Sequence, residues 1–343
     1  MKIVIDSAIP FIEGLFEPFA EVLYRQGAAI SKDDVIDADA LIIRTRTRCD
    51  ESLLEGSKVR HIATATIGYD HIDLAYCTAN NIEVTTAAGC NARGVLQWVA
   101  AALVEICKNS KFQEQPTIGV VGVGNVGRLV EKYAKLWGFN VTCCDPPRAE
   151  KEAQTELGSA FTTFEELLPQ VDILTFHTPL DKTTHHLLNS KNITLLKDSA
   201  AIINTSRGEV IESQALLNFA NKNKSINSNP KLYLDVWENE PNIDRELLQI
   251  STASTPHIAG YSLQGKANGT AIVARDIARK FNLPIVDWYP NIEKINERNI
   301  EWIELQQTIT QHFDIERESV ALKESPDTFE SMRNSYNYRN EYF

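Results

Sequence analysis

The chain has 343 residues, 43% hydrophobic and 23% charged, which is length for about two domains and a composition that excludes global disorder. Its 34 basic residues face 46 acidic ones, and the net charge of −12 excludes a general affinity for nucleic acid or anionic lipid. The longest apolar stretches, such as Gly94 to Val104, fall well short of the roughly 20 residues that span a bilayer.

Met1 to Asp6 carries a carboxylate where a secretory core would stay apolar, so Ile3 to Ile5 reads as a first strand. Ala40 to Ile43, Ile62 to Ala65 and Ile82 to Thr85 are further strand-like runs with helix-capable segments between them. A long helical pattern covers Ala92 to Lys108 through Val95, Trp98, Val99, Ala102, Leu103 and Ile106. The alternation then restarts with Ile118–Val123, Phe139–Cys144, Val171–Phe176, Ala200–Asn204 and Leu232–Val236. Alternating strands and helices predict parallel sheets, and the restart after one long helix predicts two α/β units. Asn221 to Pro230 reads as a polar surface loop, and Gln264 to Phe281 as a helix ended by Asn282-Leu283-Pro284. The tail beyond it mixes aromatic residues (Trp288, Tyr289, Trp302, Phe313) with charge. Six cysteines without a C-x-x-C spacing are expected to be reduced thiols in a cytoplasmic protein, with no metal site.

One stretch carries a dinucleotide signature. Gly122, Gly124 and Gly127 form G-x-G-x-x-G around Asn125 and Val126, directly after an apolar strand and before an amphipathic helix. The first glycine permits a tight turn, the second lets a pyrophosphate reach the backbone, and the third allows close helix–strand packing. Asp145 ends the next strand, where an acid accepts the ribose hydroxyls and disfavours a 2′-phosphate, so NAD is the expected cofactor. Arg148 nearby weakens that preference.

Three stretches place charged or titratable groups just past later strands: Ile203 to Gly208, Leu234 to Pro241 and Thr255 to Gly260. In open α/β sheets such positions face the ligand crevice. This combination resembles the D-isomer-specific 2-hydroxyacid dehydrogenases, whose arginine, glutamate and histidine correspond here to Arg207, Glu240 and His257. The chemistry suits the residue types. Histidine titrates near neutrality and can take a hydroxyl proton, a carboxylate can orient it, and a guanidinium fork can hold an α-carboxylate.

Several stretches narrow the likeness. Ile43 to Thr47, Ala63 to His71, Ala88 to Ala92, Cys144 to Arg148, Leu174 to Pro179, Asp235 to Pro241 and Pro256 to Tyr261 are similar to the erythronate-4-phosphate dehydrogenases. That resemblance implies NAD-dependent oxidation of 4-phospho-D-erythronate in pyridoxine 5′-phosphate synthesis. It also implies substrate contacts from Thr45, Thr66 and Tyr261, and an NAD site lined by Asp145, Thr178, Thr205, Ser206, Asp235 and Gly260. Thr45 stands where the family often has serine, and the tail is shorter than usual. Arg44, Arg46 and Arg48 add a basic triplet at a strand end, and alternation would point all three one way toward a phosphate.

The expected architecture is α/β: two Rossmann-like or flavodoxin-like parallel-sheet domains with a cleft between them, plus a small C-terminal α+β extension. The substrate-binding lid would comprise 1–92 and 259–282, the NAD-binding domain 93–258, and a dimerisation extension 283–343 whose aromatic residues pack on a second subunit. Two alternatives stay open on the residues: another D-2-hydroxyacid dehydrogenase (phosphoglycerate, glyoxylate or hydroxypyruvate), or a non-catalytic NAD-sensing protein. Turnover of an unphosphorylated acid would mark the first, and silence with every acid the second.

Overall fold

Five short strands pair in parallel in the first part of the chain: β1 (Lys2–Asp6), β2 (Glu21–Arg25), β3 (Ala40–Ile43), β4 (His61–Thr64) and β5 (Glu83–Thr86). Their order is β2-β1-β3-β4-β5, the flavodoxin-like arrangement. Every residue of β3 and β4 is buried, as expected of central parallel strands covered on both faces. The helix Leu263–Lys280, capped by the Ser262 side chain, returns late in the sequence to this sheet. Its Val273, Ala274 and Ile277 share a core with Ile3, Ile5, Ile42 and Ala63. The computed structural model describes residues 1–108, 115–154, 160–225 and 231–343, and the chain divides into two compact units. The first unit comprises 1–91 and 262–294.

The second unit, 92–261 and 295–343, holds six parallel strands: β6 (Thr117–Val121), β7 (Asn140–Cys144), β8 (Ile173–Phe176), β9 (Ala201–Asn204), β10 (Lys231–Leu234) and β11 (Ala253–Ser254). They run β11-β10-β9-β8-β6-β7. The chain steps from β6 to β7 on one side and resumes at β8 on the other, so the carboxyl ends of β6 and β8 frame a topological switch point.

The helix Ala92–Lys108 is apolar on nearly all sides, with 13 of its 17 residues buried, so something must cover its outer face as well as the face toward the sheet. The tail does so. Leu305, Ile309, Phe313, Ile315 and Phe343 lie in the same core as Trp98, Val99 and Leu103. Trp302 meets Phe139 edge-on with centroids 5.2 Å apart, and Trp137 donates to the Ile300 carbonyl at 3.0 Å.

This arrangement corrects several expectations. Of the tail aromatics expected to pack on a second subunit, Phe313 is buried by its own chain, while Trp288, Tyr289 and Trp302 keep part of their surface exposed: hydrophobic patterning tells which residues seek cover, not which surface supplies it. The extension 283–343 is divided, because Leu283, Ile285 and Trp288 pack in the first unit while residues from 295 onward join the second. Among the described residues, its secondary structure is helical rather than α+β, with α-helices Trp302–His312, Ile315–Glu324 and Phe329–Asn334. The loop read over Asn221–Pro230 begins as helix, since Ser213–Ser225 is helical, and 226–230 lie outside the described residues. Among the described residues no helix is long and apolar enough to cross a membrane, and no disulfide is present.

Candidate active site

The glycine turn after β6 has the shape that its sequence requires. Gly122 sits at φ +83°, and a Cβ there would stand 2.8 Å from the His177 carbonyl oxygen. A Cβ on Gly127 would lie 1.9 Å from the Gly122 carbonyl oxygen, so only glycine lets the helix Gly127–Leu136 start this close to the strand. At Gly124 nothing lies within 4 Å of an added Cβ, leaving the backbone open to an approaching phosphate. Val126 offers no side-chain cap, while Asn125 accepts a hydrogen bond from Arg128.

Asp145, at the end of β7, takes the Val123 amide at 2.7 Å through one oxygen and caps the helix Pro146–Ala153 through the other. Arg148 donates to the Val123 carbonyl, pairs with Glu152 and stands 5.0 Å over Phe161. Its charge is therefore tied to local partners, which favours Asp145 as the residue facing a ribose. Thr178 follows β8, and its Oγ1 is buried without a hydrogen-bond partner among the described residues. A buried orphan hydroxyl beside a cradle that Cβ atoms would fill fits a bound dinucleotide.

Next to Thr178, His177 was given no role by sequence reasoning. Its Nε2 lies 2.9 Å from Thr175 Oγ1, and its Nδ1 is 3.5 Å from Thr205 Oγ1. Burial pushes its pKa down to about 3, so the ring is neutral and acts as a spacer between the ends of β8 and β9.

The loop after β9 is organised by Asn204, also missed in the sequence. Its Oδ1 accepts from the Ser206 amide and hydroxyl, and its Nδ2 donates to the Arg207 carbonyl. Arg207 curls its guanidinium onto the Ser206 carbonyl at 2.8 Å. A Cβ on Gly208 would fall 1.9 Å from the Trp237 carbonyl carbon, so this turn is pressed directly against the turn after β10. Packing thus brings Arg207 beside the segment carrying Glu240.

Glu240 and His257 form a dyad. His257 Nδ1 and Glu240 Oε2 are 2.8 Å apart, and Glu240 Oε1 accepts the Trp237 amide at 3.0 Å. Burial raises the Glu240 pKa, but the His257 charge and hydrogen bond, Arg333 and the Trp237 amide outweigh it and hold the carboxyl below its ordinary value. His257 adopts φ +58°, an uncommon backbone conformation for a residue with a Cβ and one often found at functional sites.

Asp235 explains how that conformation persists. Its carboxylate is buried and accepts the Thr255 hydroxyl at 2.5 Å and the Ile258 and Ala259 amides at 2.7 and 2.9 Å. Its carbonyl accepts the His257 amide at 2.7 Å. Burial pushes its carboxyl pKa up against these stabilising partners. The family resemblance implies that Asp235 lines the NAD site; its bonds here also make it the anchor of the His257 loop, with Oδ2 still able to accept a further donor. Trp98 completes the anchor by donating to Thr255 Oγ1 at 2.9 Å.

The tail reaches the same loop. Arg339 is buried and donates to the carbonyls of Gly94, Ile258, Ala259 and Tyr261, clamping the backbone around Gly260. Arg333 Nε donates to Tyr261 Oη at 3.2 Å, and its Nη1 is 3.7 Å from Glu240 Oε2. Tyr336 and Tyr338 pack edge-on against Tyr261. Helical periodicity near the end of a chain carries no sign of such a destination.

In the first unit, Thr66 Oγ1 bonds to Thr64 Oγ1 at 2.7 Å and to the Gly68 carbonyl. Thr45 and Arg46 are exposed in a turn. The basic triplet is not a strand stripe, because β3 ends at Ile43 and Arg44 to Arg48 follow in irregular backbone. Arg44 pairs with the fully buried Asp6 at 3.0 Å and Arg48 with Asp50 at 2.7 Å, so the alternation argument does not apply.

Comparison with known proteins agrees with this geometry. Residues 99–259 match the family described as D-isomer specific 2-hydroxyacid dehydrogenase, NAD binding domain. An erythronate-4-phosphate dehydrogenase of Bacteroides fragilis is 43% identical over 347 aligned positions, covering 99% of this chain and 97% of that one. The chain belongs to the erythronate-4-phosphate dehydrogenase family. A second member, from Photorhabdus laumondii, is 36% identical over all of this chain and 93% of its own. Among solved structures, an NAD-bound 3-phosphoglycerate dehydrogenase of Entamoeba histolytica is 27% identical with a TM-score of 0.66, covering 86% of this chain and 99% of that one. Family membership makes this an NAD-dependent dehydrogenase, and the cradle of Gly122, Gly124, Gly127 and Thr178 suits that cofactor.

Proposed function

We propose that this chain oxidises 4-phospho-D-erythronate at C2 to the 2-oxo acid, as a homodimer in the cytoplasm, on the route to pyridoxine 5′-phosphate. The observation that carries the substrate is the 43% identity with a named erythronate-4-phosphate dehydrogenase over nearly the whole of both chains, well beyond the NAD-binding domain. Support for a dimer comes from Ile303 and Val320 on the tail helices, 68% and 53% exposed.

The chemistry follows from the dyad. With Nδ1 engaged by Glu240, Nε2 of His257 is left to accept the C2 hydroxyl proton. Bound NAD supplies the hydride acceptor. Glu240 keeps the ring oriented and stabilises the imidazolium once the proton arrives. Arg207 holds the α-carboxylate and polarises the forming carbonyl. Asp145 and Thr178 would face the adenosine and nicotinamide halves of the dinucleotide, and Thr45, Thr66 and Tyr261 would contact substrate.

The test is substrate profiling by NADH absorbance with 4-phospho-D-erythronate, D-erythronate, 3-phosphoglycerate, glycolate and D-glycerate. A kcat/KM for the phosphorylated four-carbon acid well above all others is expected. Comparable turnover of another acid would assign a different hydroxyacid, and no turnover of any would point to a binding protein.

A further inference from the structure

The tail residue Arg333 is poorly explained as a structural staple. Arg339, six residues on, spends both Nη groups on backbone carbonyls and holds a loop together. Arg333 is partly buried, with a side chain 20% exposed, yet its contacts are thin. One Nε–H goes to Tyr261 Oη, and Nη1 stands off Glu240 Oε2 at 3.7 Å, beyond a normal hydrogen bond. A guanidinium has five donors, and a half-buried one beside the proposed base with most of them uncommitted is suited to serve an anion.

Its place narrows which anion. Glu240 Oε2 is also the oxygen bonded to His257 Nδ1, so the guanidinium and the proposed base flank the same carboxylate. The residue is fixed there by its helix, Phe329–Asn334, whose Phe329 is buried in a core with Trp237 and Leu247. Arg207 is already assigned to the substrate carboxylate. A phosphate lies two carbons beyond the reacting carbon of the proposed substrate, and a forked cation one side chain away from the base suits it.

We infer that Arg333, delivered by the C-terminal tail, is the residue that recognises the terminal phosphate of the substrate. Tyr261 holds its Nε, and Glu240 offsets its charge without sealing it in a close ion pair. The tail is then part of the substrate site. This assignment rests on the substrate reading above.

The test compares the ratio of kcat/KM for 4-phospho-D-erythronate to that for D-erythronate in wild type, R333Q and R333K. NADH fluorescence titration monitors the folded cofactor unit. Loss of a charge-assisted phosphate contact should lower the ratio on the order of 100-fold in R333Q. R333K keeps the charge and loses the fork, so its ratio should fall on the order of 10-fold, and it carries the test should R333Q fail to fold. Inorganic phosphate should inhibit wild type competitively and R333K more weakly. Equal losses on both substrates would overturn the inference, leaving Arg333 a positioning residue for Glu240 and Tyr261. A wild type that prefers the phosphorylated acid, with variants that keep that preference, sinks only the role of Arg333. A wild type indifferent to the phosphate sinks the substrate reading and the inference together.

Discussion

Asp235→Asn preserves the shape of a buried side chain and replaces one acceptor by a donor. The native carboxylate accepts three hydrogen bonds, two at Oδ1 (Thr255 hydroxyl, Ile258 amide) and one at Oδ2 (Ala259 amide). In its better orientation the new amide keeps the first two and faces its NH2 toward the Ala259 N–H, donor against donor. A lost bond to a charged acceptor costs about 1.5–3 kcal/mol, and the surviving pair weakens without the charge. Against this, burial disfavours the charged form of the carboxyl, so an uncharged amide recovers some of the desolvation. The net expectation is a destabilisation of about 2 kcal/mol, read as a melting temperature lower by about 4–8 °C. The two freed or weakened amides immediately follow His257, whose left-handed backbone they help to hold. A misplaced base should lower kcat/KM on the order of 100-fold. Thermal unfolding by circular dichroism and steady-state rates on the same preparations measure both. A variant that melts within about 1 °C of wild type and turns over within twofold would refute the anchoring role of Asp235.

Gly127→Ala would place a Cβ 1.9 Å from the Gly122 carbonyl oxygen, and it should weaken NADH binding on the order of 100-fold by fluorescence titration; an unchanged affinity would remove this turn from the cofactor site. His177 gives a pH prediction. Its folded pKa near 3 lies below the ordinary 6.5, so between these values the unfolded chain binds a proton that the folded chain refuses. Its contribution to stability is therefore present above pH 6.5 and is lost as pH falls toward 3. His177→Asn should lose less stability than wild type over that window in urea unfolding, and parallel curves would refute it.

Some of this protein is written locally. Strand–helix alternation, the three glycines and the acid after β7 depend on neighbours a few residues away, so period and turn chemistry reveal them. The arginine, glutamate and histidine were legible for a related reason: each lies in the loop that follows a strand, and parallel sheets deliver such loops to one edge. Other features lie beyond any local pattern. The helix Ala92–Lys108 shows that its outer face needs cover, but the tail that covers it starts about 200 residues later. Arg44 to Arg48 read as a strand stripe until β3 stops at Ile43 and the buried Asp6 takes the first of them. His177, Asn204 and Thr255 are ordinary polar residues until the sheet sets them beside Thr205, Arg207 and Asp235. Sequence determined which segments form elements and which chemical groups end them, because those rest on short-range sterics and hydrogen bonding. Tertiary structure decided the destinations of the tail, Arg333 and Arg339, because burying an apolar face depends on complementary surfaces that the chain brings together only on folding.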